Sequence, residues 1–557
     1  MEMYVLGING WDFDSHDSSA CLFFNGKLIA AAEEERFIRQ KKSFNKIPCN
    51  AISYCLNEAK ISPNDIEHIV IGWDVKKLYF ERYSKLLTDE ECLLKIFPKE
   101  IFKRDKEPKI HICSHHLAHA AGTFFSSGFE EATILVVDGV GEEESITIAK
   151  GFNNKIEILE KYPLEKSLGI FYEALTVFCG FSRFDEGKLM GLSSYGSCDF
   201  DFSDILDNQI HKITNEININ EKYFLVLKNW LKIIYKTTKI NPNETNYNYD
   251  ILNTTLYNET DVMKYKNIAA SGQVAFEKAI IKLVKKAIRI TRINNLCISG
   301  GVALNCIANR KILELEEVKE LYIQPAAADN GVSIGAAAWF VSSNNIKPEI
   351  NSNHVYSGPD FSDNDINMIL KKYNIPFIKL ESNKYEKISE LLVQSKVIGR
   401  FNGKMEFGPR ALGNRSIIAN PQTKDMLNLI NNIKKREYWR PLAPSIIKDQ
   451  EHKVLKEKTN NEYMLLNSTV IDSMIDLLPA ITHFDNSTRA QVFCREMNKD
   501  YYETIKHFYK DTGLPVVLNT SFNVGNEPIV CNPSDAIRTF YSSGIDALLL
   551  GSFLIIK

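Results

Sequence analysis

Between the apolar run KIHIC and a second run, ATILVVDG, the chain reads HHLAHA at residues 115 to 120. If Ser114 caps a helix that begins at His115, then His115 and His119 lie one turn apart on one face and can offer two imidazole nitrogens to a single ion. His116 points roughly 100° away from His115 by the same geometry and could pair with His119 instead, so two assignments stand. Asp138 closes the next apolar run and brings a carboxylate to a strand end. A fourth ligand is available in QPAAADNGVSIGAA, where Asp329 stands at a strand-to-helix junction and Gly331 and Gly335 let backbone approach closely. Two imidazoles with two carboxylates suit iron(II), manganese or zinc better than magnesium.

A second chemistry is written in basic residues. GRFNGKMEFGPRALGNRS places Arg400, Lys404, Arg410 and Arg415 among glycines, and IKKREYWRPLAPS follows with Lys434, Arg436 and Arg440. Guanidinium groups fork onto phosphate oxygens, so this density points to a triphosphate site. VVLNTSFN adds Asn519, Ser521 and Asn523 as neutral groups behind a buried strand, suited to a small planar amide or a phosphate. Earlier in the chain, the turn Ser299-Gly300-Gly301 could cradle a nucleotide with main-chain amides, with Asn305 in the same run. EGKLMGLSSYG offers Lys188 beside glycines. EEER, residues 33 to 36, reads as a solvated helix start and not as a catalytic group.

These groups need elements to hold them. The chain opens with YVLGING, SACLFF, the turn Asn25-Gly26 and KLIAAA, three strand-length runs with a hairpin signal. The pattern returns near residue 134 as ILVVDG, SITIAKGF, the turn Asn153-Asn154 and KIEILEKY. Each copy is followed by helical sequence, which predicts two related halves packed face to face, with the strands ending at Ile8-Asn9-Gly10 and Val137-Asp138-Gly139 equivalent. Residues 200 to 265, rich in Asn, Ile and Lys, are expected to form a mostly helical insertion. A polar stretch places a domain boundary near residue 355, giving domains at 1–355 and 356–557, the second alternating strand and helix.

The 557 residues, 44% hydrophobic, suffice for two to four domains, and a net charge of -3 leaves no global basic excess for nucleic acid or an anionic membrane. Eleven cysteines without a C-x-x-C pair fit neither a disulfide framework nor a zinc ribbon, and favour a reducing cytosol. The start MEMYVLGING has no signal-peptide character, so a cytoplasmic location is expected.

HDSSA (16 to 20), AEEERF (32 to 37), HHLAHA, EGKLMGL, SGGVALNC, EFGPRALGNRS, WRPLAPS and LNTSFN, in this order and nearly end to end, resemble the O-carbamoyltransferases of the NodU/TobZ type. The resemblance implies an α/β chain: a duplicated actin-like domain, related to the threonylcarbamoyl transferase of tRNA modification, followed by an α+β YrdC-like domain. It implies two linked reactions. Carbamoyl phosphate and ATP, with magnesium, give carbamoyl adenylate in the second domain; a hydroxyl of a small-molecule acceptor, such as a sugar or antibiotic, then takes the carbamoyl group in the first. Carried over by position, His115, His119, Asp138 and Asp329 match metal ligands, usually of iron(II). Lys434, Arg489 and Ser521 match residues around ATP and the adenylate; Arg410 and Arg415 are added on charge and spacing. His16, in the loop after the first strand, is the candidate base for the acceptor hydroxyl.

Three rivals are defined by their products or partners. A tRNA threonylcarbamoylation enzyme would want a basic tRNA surface, a regulator would bind nucleotide without chemistry, and a small-molecule kinase would release ADP where adenylate chemistry releases AMP and pyrophosphate.

Overall fold

The computed structural model describes residues 3–202, 205, 218–240, 262–351 and 353–557. The chain divides into two compact units, Met1–Ile29 with Asn45–Ser352, and Ala30–Phe44 with Asn353–Lys557.

The first unit holds two five-stranded sheets. One is built from β1 (Tyr4–Asn9), β2 (Ser19–Phe24), β3 (Lys27–Glu33), β4 (His68–Ile71) and β5 (Lys109–Ile112), in the order β3-β2-β1-β4-β5. The other is built from β6 (Glu131–Val137), β7 (Glu144–Phe152), β8 (Lys155–Pro163), β9 (Asn295–Ser299) and β10 (Glu320–Ile323), in the order β8-β7-β6-β9-β10. Strand for strand the two orders are the same: first against second antiparallel, first against fourth and fourth against fifth parallel. This is the duplicated α/β arrangement expected from the repeated hairpin. Both hairpin turns use residues that tolerate positive φ, Asn25 (48°) with Gly26 (87°) and Asn153 (48°) with Asn154 (58°), the conformation whose twist matches two-residue hairpins.

Each half ends in a helix after its fifth strand, His115–Ser127 in the first and Val332–Ser343 in the second. These two helices meet backbone to backbone. The Cα of Gly335 lies 3.4 Å from where a Cβ on Gly122 would be. A Cβ on Gly335 would in turn overlap the carbonyl oxygen of Ala118 and come within 2.9 Å of the Gly122 nitrogen. Ser19 on β2 fixes the turn before the second helix, its hydroxyl donating to the carbonyl of Asn330 at 2.7 Å.

Of the stretch expected to be a helical insertion, the described part includes the helix Ile219–Thr238, capped by Asn218. It is followed by the long helix Lys266–Thr291. Residues 203, 204, 206–217 and 241–261 of that stretch lie outside the described residues. No helix among the described residues is long and apolar enough to cross a membrane.

The second unit is a mixed eight-stranded sheet with helices. Its strands are β11 (Ile378–Lys379), β12 (Ile398–Phe401), β13 (Arg415–Ala419), β14 (Ala443–Ile447), β17 (Gln491–Phe493), β18 (Val516–Ser521), β19 (Ala547–Leu550) and β20 (Phe553–Ile556). They run in the order β11-β20-β19-β12-β13-β18-β14-β17, and β15 (Ser468–Thr469) pairs separately with β16 (Ser487–Thr488). Residues from nearly every strand and helix, among them Ile417, Ile446, Val517, Phe508 and Leu549, form one buried apolar core.

Placing a methyl group at the helix crossing should loosen the first unit. Gly335→Ala is expected to cost about 1–3 kcal/mol, as overpacking of a tight contact does, seen as a lower thermal midpoint together with reduced metal loading of the purified protein.

Candidate metal centre and basic pocket

The helix His115–Ser127 follows the first half's fifth strand, and its first two turns carry three buried histidines. Ser114 occupies the N-cap position, yet its side chain makes no capping bond. Glu142, from the loop after β6, does this work: its carboxylate accepts from the main-chain N–H of His115 at 3.3 Å and of Asp74 at 2.8 Å. An acidic group at a helix start is electrostatically favoured there.

Four side chains converge beside that helix start. Single ligand atoms of His115, His119, Asp138 and Asp329 all lie within 4.8 Å of one another, and all four residues are buried. His115 Nε2 is 3.2 Å from Asp138 Oδ2 and 3.6 Å from Asp329 Oδ1; His119 Nε2 is 3.3 Å and 3.7 Å from the same two atoms. The ring nitrogens that face away are also engaged, His115 Nδ1 with the Gly72 carbonyl at 3.4 Å and His119 Nδ1 with Ser299 Oγ at 3.2 Å. A carbonyl only accepts, so His115 carries a proton on Nδ1 in that contact, and Nε2 is the nitrogen it offers a cation once the proton it shares with Asp138 has left. Trp73 lies over the His115 ring, with centroids 3.7 Å apart. Asp138 is held from behind: its Oδ1 accepts from the amides of Gly139 (2.8 Å) and Gly301 (3.0 Å), leaving Oδ2 for the imidazoles.

Electrostatics agree with this grouping. Burial opposes ionisation of Asp138, but hydrogen bonds from His115 and His119 hold it well below the usual carboxylate range. Burial likewise opposes charge on His119, and its bonds to Asp138 and Asp329 outweigh that, holding the imidazole up to about 9. A cation taking these positions replaces a proton, as ligation of imidazole generally requires. Two nitrogens and two carboxylate oxygens, buried and braced, are a donor set fit for iron(II), zinc or manganese.

His116 is excluded from the group. Its Nδ1 bonds Thr147 Oγ1 on β7 at 2.8 Å, and burial with the neighbouring His115 pushes it well below the usual histidine range. His16 stands next to the cluster, with Nε2 3.8 Å from Asp329 Oδ2 and Nδ1 3.1 Å from Asp17 Oδ2. Its loop is braced by Asn9, whose amide donates to the carbonyls of His16 (3.2 Å) and Asp17 (3.1 Å).

The second unit carries a separate cationic pocket. Lys434, which caps the helix Lys424–Ile433, buries its ammonium against neutral acceptors: Ser521 Oγ at 3.1 Å, Asn523 Oδ1 at 2.8 Å, the Asn523 carbonyl at 3.1 Å and the Ser521 carbonyl. Burial first, then the charges of Arg436, Lys41 and Arg440, push it well below the usual lysine value. Arg436 is lowered to about 9 by burial and by the charges of Arg440 and Arg489, and its buried Nη2 has no hydrogen-bond partner among the described residues. Crowding like charges in a dry place is unfavourable until an anion joins them.

A carbamoyltransferase N-terminus family description matches residues 5–338, and a carbamoyltransferase C-terminus description matches residues 389–557. The chain belongs to the carbamoyltransferase family. Nodulation protein NolNO of Sinorhizobium fredii is 34% identical over 571 residues, spanning 97% of this chain and 79% of that protein. Nodulation protein NolO of Bradyrhizobium diazoefficiens is 32% identical over 462 residues, spanning 80% and 79%. A protein of Synechocystis described as uncharacterized, sll1178, is 33% identical over 621 residues, spanning 100% and 97%.

Several other residues singled out in the sequence are placed elsewhere in this carbamoyltransferase. Arg415 directs its guanidinium onto the carbonyls of Asn402, Gly403, Asn414 and Pro359, with its carbon 3.7 Å above the Phe401 ring, and so braces a loop. Arg400 is buried in an ion pair with Asp500 at 2.8 Å. Asn305 caps the helix Cys306–Leu313 and exchanges hydrogen bonds with Gln273 at 3.0 and 3.1 Å. Gly300, at φ 94°, makes the tight turn that lets Gly301 reach Asp138. Lys188 pairs with Asp185 at 3.0 Å. Asn519 donates to Ser445 Oγ at 2.8 Å within the sheet, and Arg410 is half-buried.

The expectation that EEER is solvated is corrected. Glu33, Glu34 and Arg36 are buried; Arg36 binds Glu33 at 2.8 Å and the Gly408 carbonyl at 2.8 Å, while Glu33 accepts from the Gly408 amide at 3.1 Å. Sequence reasoning also passed over Glu142. Its one signal was an acidic loop following a metal-binding candidate.

Metal loading should follow the four ligands and not His116. Elemental analysis after anaerobic purification is expected to find less than about a tenth of wild-type metal in His119→Ala or Asp138→Asn, and near wild-type loading in His116→Ala.

Proposed function

We propose that this carbamoyltransferase joins two half-reactions. In the second unit, carbamoyl phosphate is hydrolysed to carbamate and phosphate; a carbamate oxygen then attacks the α-phosphorus of ATP, and the bond to the β-phosphate breaks to release pyrophosphate. In the first unit, an acceptor hydroxyl oxygen attacks the carbamoyl carbon of the adenylate, the bond to AMP breaks, and the hydroxyl proton is lost. The product is an O-carbamoylated small molecule.

The observation that carries the reading is the pairing, in one chain of this family, of a buried four-ligand cluster with a buried cationic pocket. The pocket suits the first step. Lys434, Arg436, Arg440 and Arg489 supply charge that a triphosphate would balance, and Ser521 and Asn523 offer neutral hydrogen-bonding groups to a planar carbamate. The low exposure of Lys434 (6%) favours an environment where carbamate escapes water.

The cluster suits the second step. A cation held by His115, His119, Asp138 and Asp329 would supply Lewis-acid polarisation of a carbonyl. His16 is our candidate to receive the hydroxyl proton, with Asp17 at 3.1 Å orienting its ring. Its side chain is about a third exposed (32%), within reach of an incoming acceptor.

Two assays separate the half-reactions. With ATP and carbamoyl phosphate the protein is expected to release pyrophosphate and form AMP, and Lys434→Met should slow this by about 100-fold or more. Asp138→Asn should leave pyrophosphate release within about threefold of wild type yet give no carbamoylated acceptor by mass spectrometry. Formation of ADP would refute the proposal in favour of a kinase.

A further inference from the structure

Proton removal by His16 depends on where its turn stands, and that turn is strained. Residues 10–18 join β1 to β2, and Asp14 at φ 39° and Asp17 at φ 54° lie on either side of His16. Side chains other than glycine rarely adopt this left-handed conformation. Such a turn persists only where its surroundings hold it. Asn9 supplies part of the hold, through the carbonyls of His16 and Asp17.

The rest comes from Asn45 and Lys46. The Ser15 amide donates to Asn45 Oδ1 at 3.1 Å, and the Asn45 amide donates back to the Ser15 carbonyl at 2.9 Å. The Ser18 hydroxyl donates to the Lys46 carbonyl at 2.7 Å. Ser15 and Ser18 flank His16 and Asp17 in the chain, so one dipeptide pins both ends of the turn. The approach is close: a Cβ on Gly10 would lie 2.8 Å from the Lys46 carbonyl oxygen. Ser15 is also tied to Trp11, its hydroxyl donating to the Trp11 carbonyl at 2.6 Å and accepting from the Trp11 amide at 3.2 Å. Asn45 itself sits at φ 53°, which asparagine tolerates, and it is exposed and so stands outside the core.

We infer that Asn45 is a positioning residue for the transfer step, anchoring Ser15 and through it setting where His16 stands to receive the acceptor's proton. A general base must come within about 2.6–3.2 Å of the atom that gives up the proton. A displacement of about 1 Å in a positioned group can cost about 100-fold in rate. With the anchor released, the strained turn relaxes, and the loss falls on proton removal and not on binding of acceptor or nucleotide. The inference rests on the proposed role of His16.

Two substitutions separate the side chain from the backbone. Asn45→Gly removes the accepting oxygen yet suits the left-handed conformation, so the thermal midpoint should be unaltered. Asn45→Asp keeps an accepting oxygen. In the full chain with ATP and carbamoyl phosphate, and with methyl glucopyranoside and glycerol as probe acceptors, Asn45→Gly is expected to lower the kcat of transfer about tenfold. Acceptor KM and pyrophosphate release should stay within about twofold, and Asn45→Asp should restore kcat to within about threefold of wild type. Without substrates, amide hydrogen exchange across residues 15–18 should be faster in Asn45→Gly than in wild type. Adding Asn45→Gly to His16→Ala should slow transfer no further than His16→Ala alone, as expected when one residue acts through the other. Wild-type transfer by Asn45→Gly, an equal loss in Asn45→Asp, or a further tenfold loss in the double variant overturns the inference while the role of His16 stands. Undiminished transfer by His16→Ala removes that role and the inference with it. Pyrophosphate release by wild type without carbamoylation of either probe overturns the inference and the proposed transfer together, and leaves the adenylate chemistry in place.

Discussion

Two helices that touch through glycine govern the first unit. One carries His115 and His119, and the other begins three residues after Asp329. Because Gly335 presents no side chain to Ala118 and Gly122, the helices approach to backbone contact and bring imidazoles and carboxylate into one buried group. Asp138 comes from the start of the second half, just past β6, and is held by the turn after β9. The four ligands therefore come from three junctions of a duplicated fold, and the helix crossing is the contact that makes the junctions coincide.

The second unit meets a different constraint. Its pocket keeps a lysine among neutral acceptors with the guanidinium groups of Arg436, Arg440 and Arg489 nearby, and burial depresses both Lys434 and Arg436. The cost of that arrangement is offset by the sheet beneath it, where β18 delivers Ser521 and the helix Lys424–Ile433 ends on Lys434. Conformational rigidity and unfavourable charge are thus built into the same place, a pattern common in sites that receive anions.

Much of this was legible in the residues. Hairpin turns such as Asn25-Gly26 are local signals, so the repeat and its strands could be read directly. The four ligands could be found because helical spacing and strand ends are also local. His116 could not be excluded on the same grounds, since only its bond to Thr147, from a different strand, decides the matter. Arginines were harder. Their spacing is the same whether a guanidinium meets phosphate or, as at Arg415, four main-chain carbonyls. The burial of Arg36 depends on Gly408, 372 residues away, and no window of sequence contains both.

That long-range tie bears on how the chain can be divided. The second compact unit takes in Ala30–Phe44 as well as Asn353–Lys557, with Arg36 joined to Gly408 and Arg39 donating to the carbonyls of Ile529 and Pro528. A fragment expressed from Asn353 onward would therefore lack a piece of its own interior, and Glu406 would lose the positive charge of its neighbour Arg36. Separating the halves at the obvious junction would yield an incomplete C-terminal body, whereas supplying the early segment in trans, or by circular permutation, would restore it.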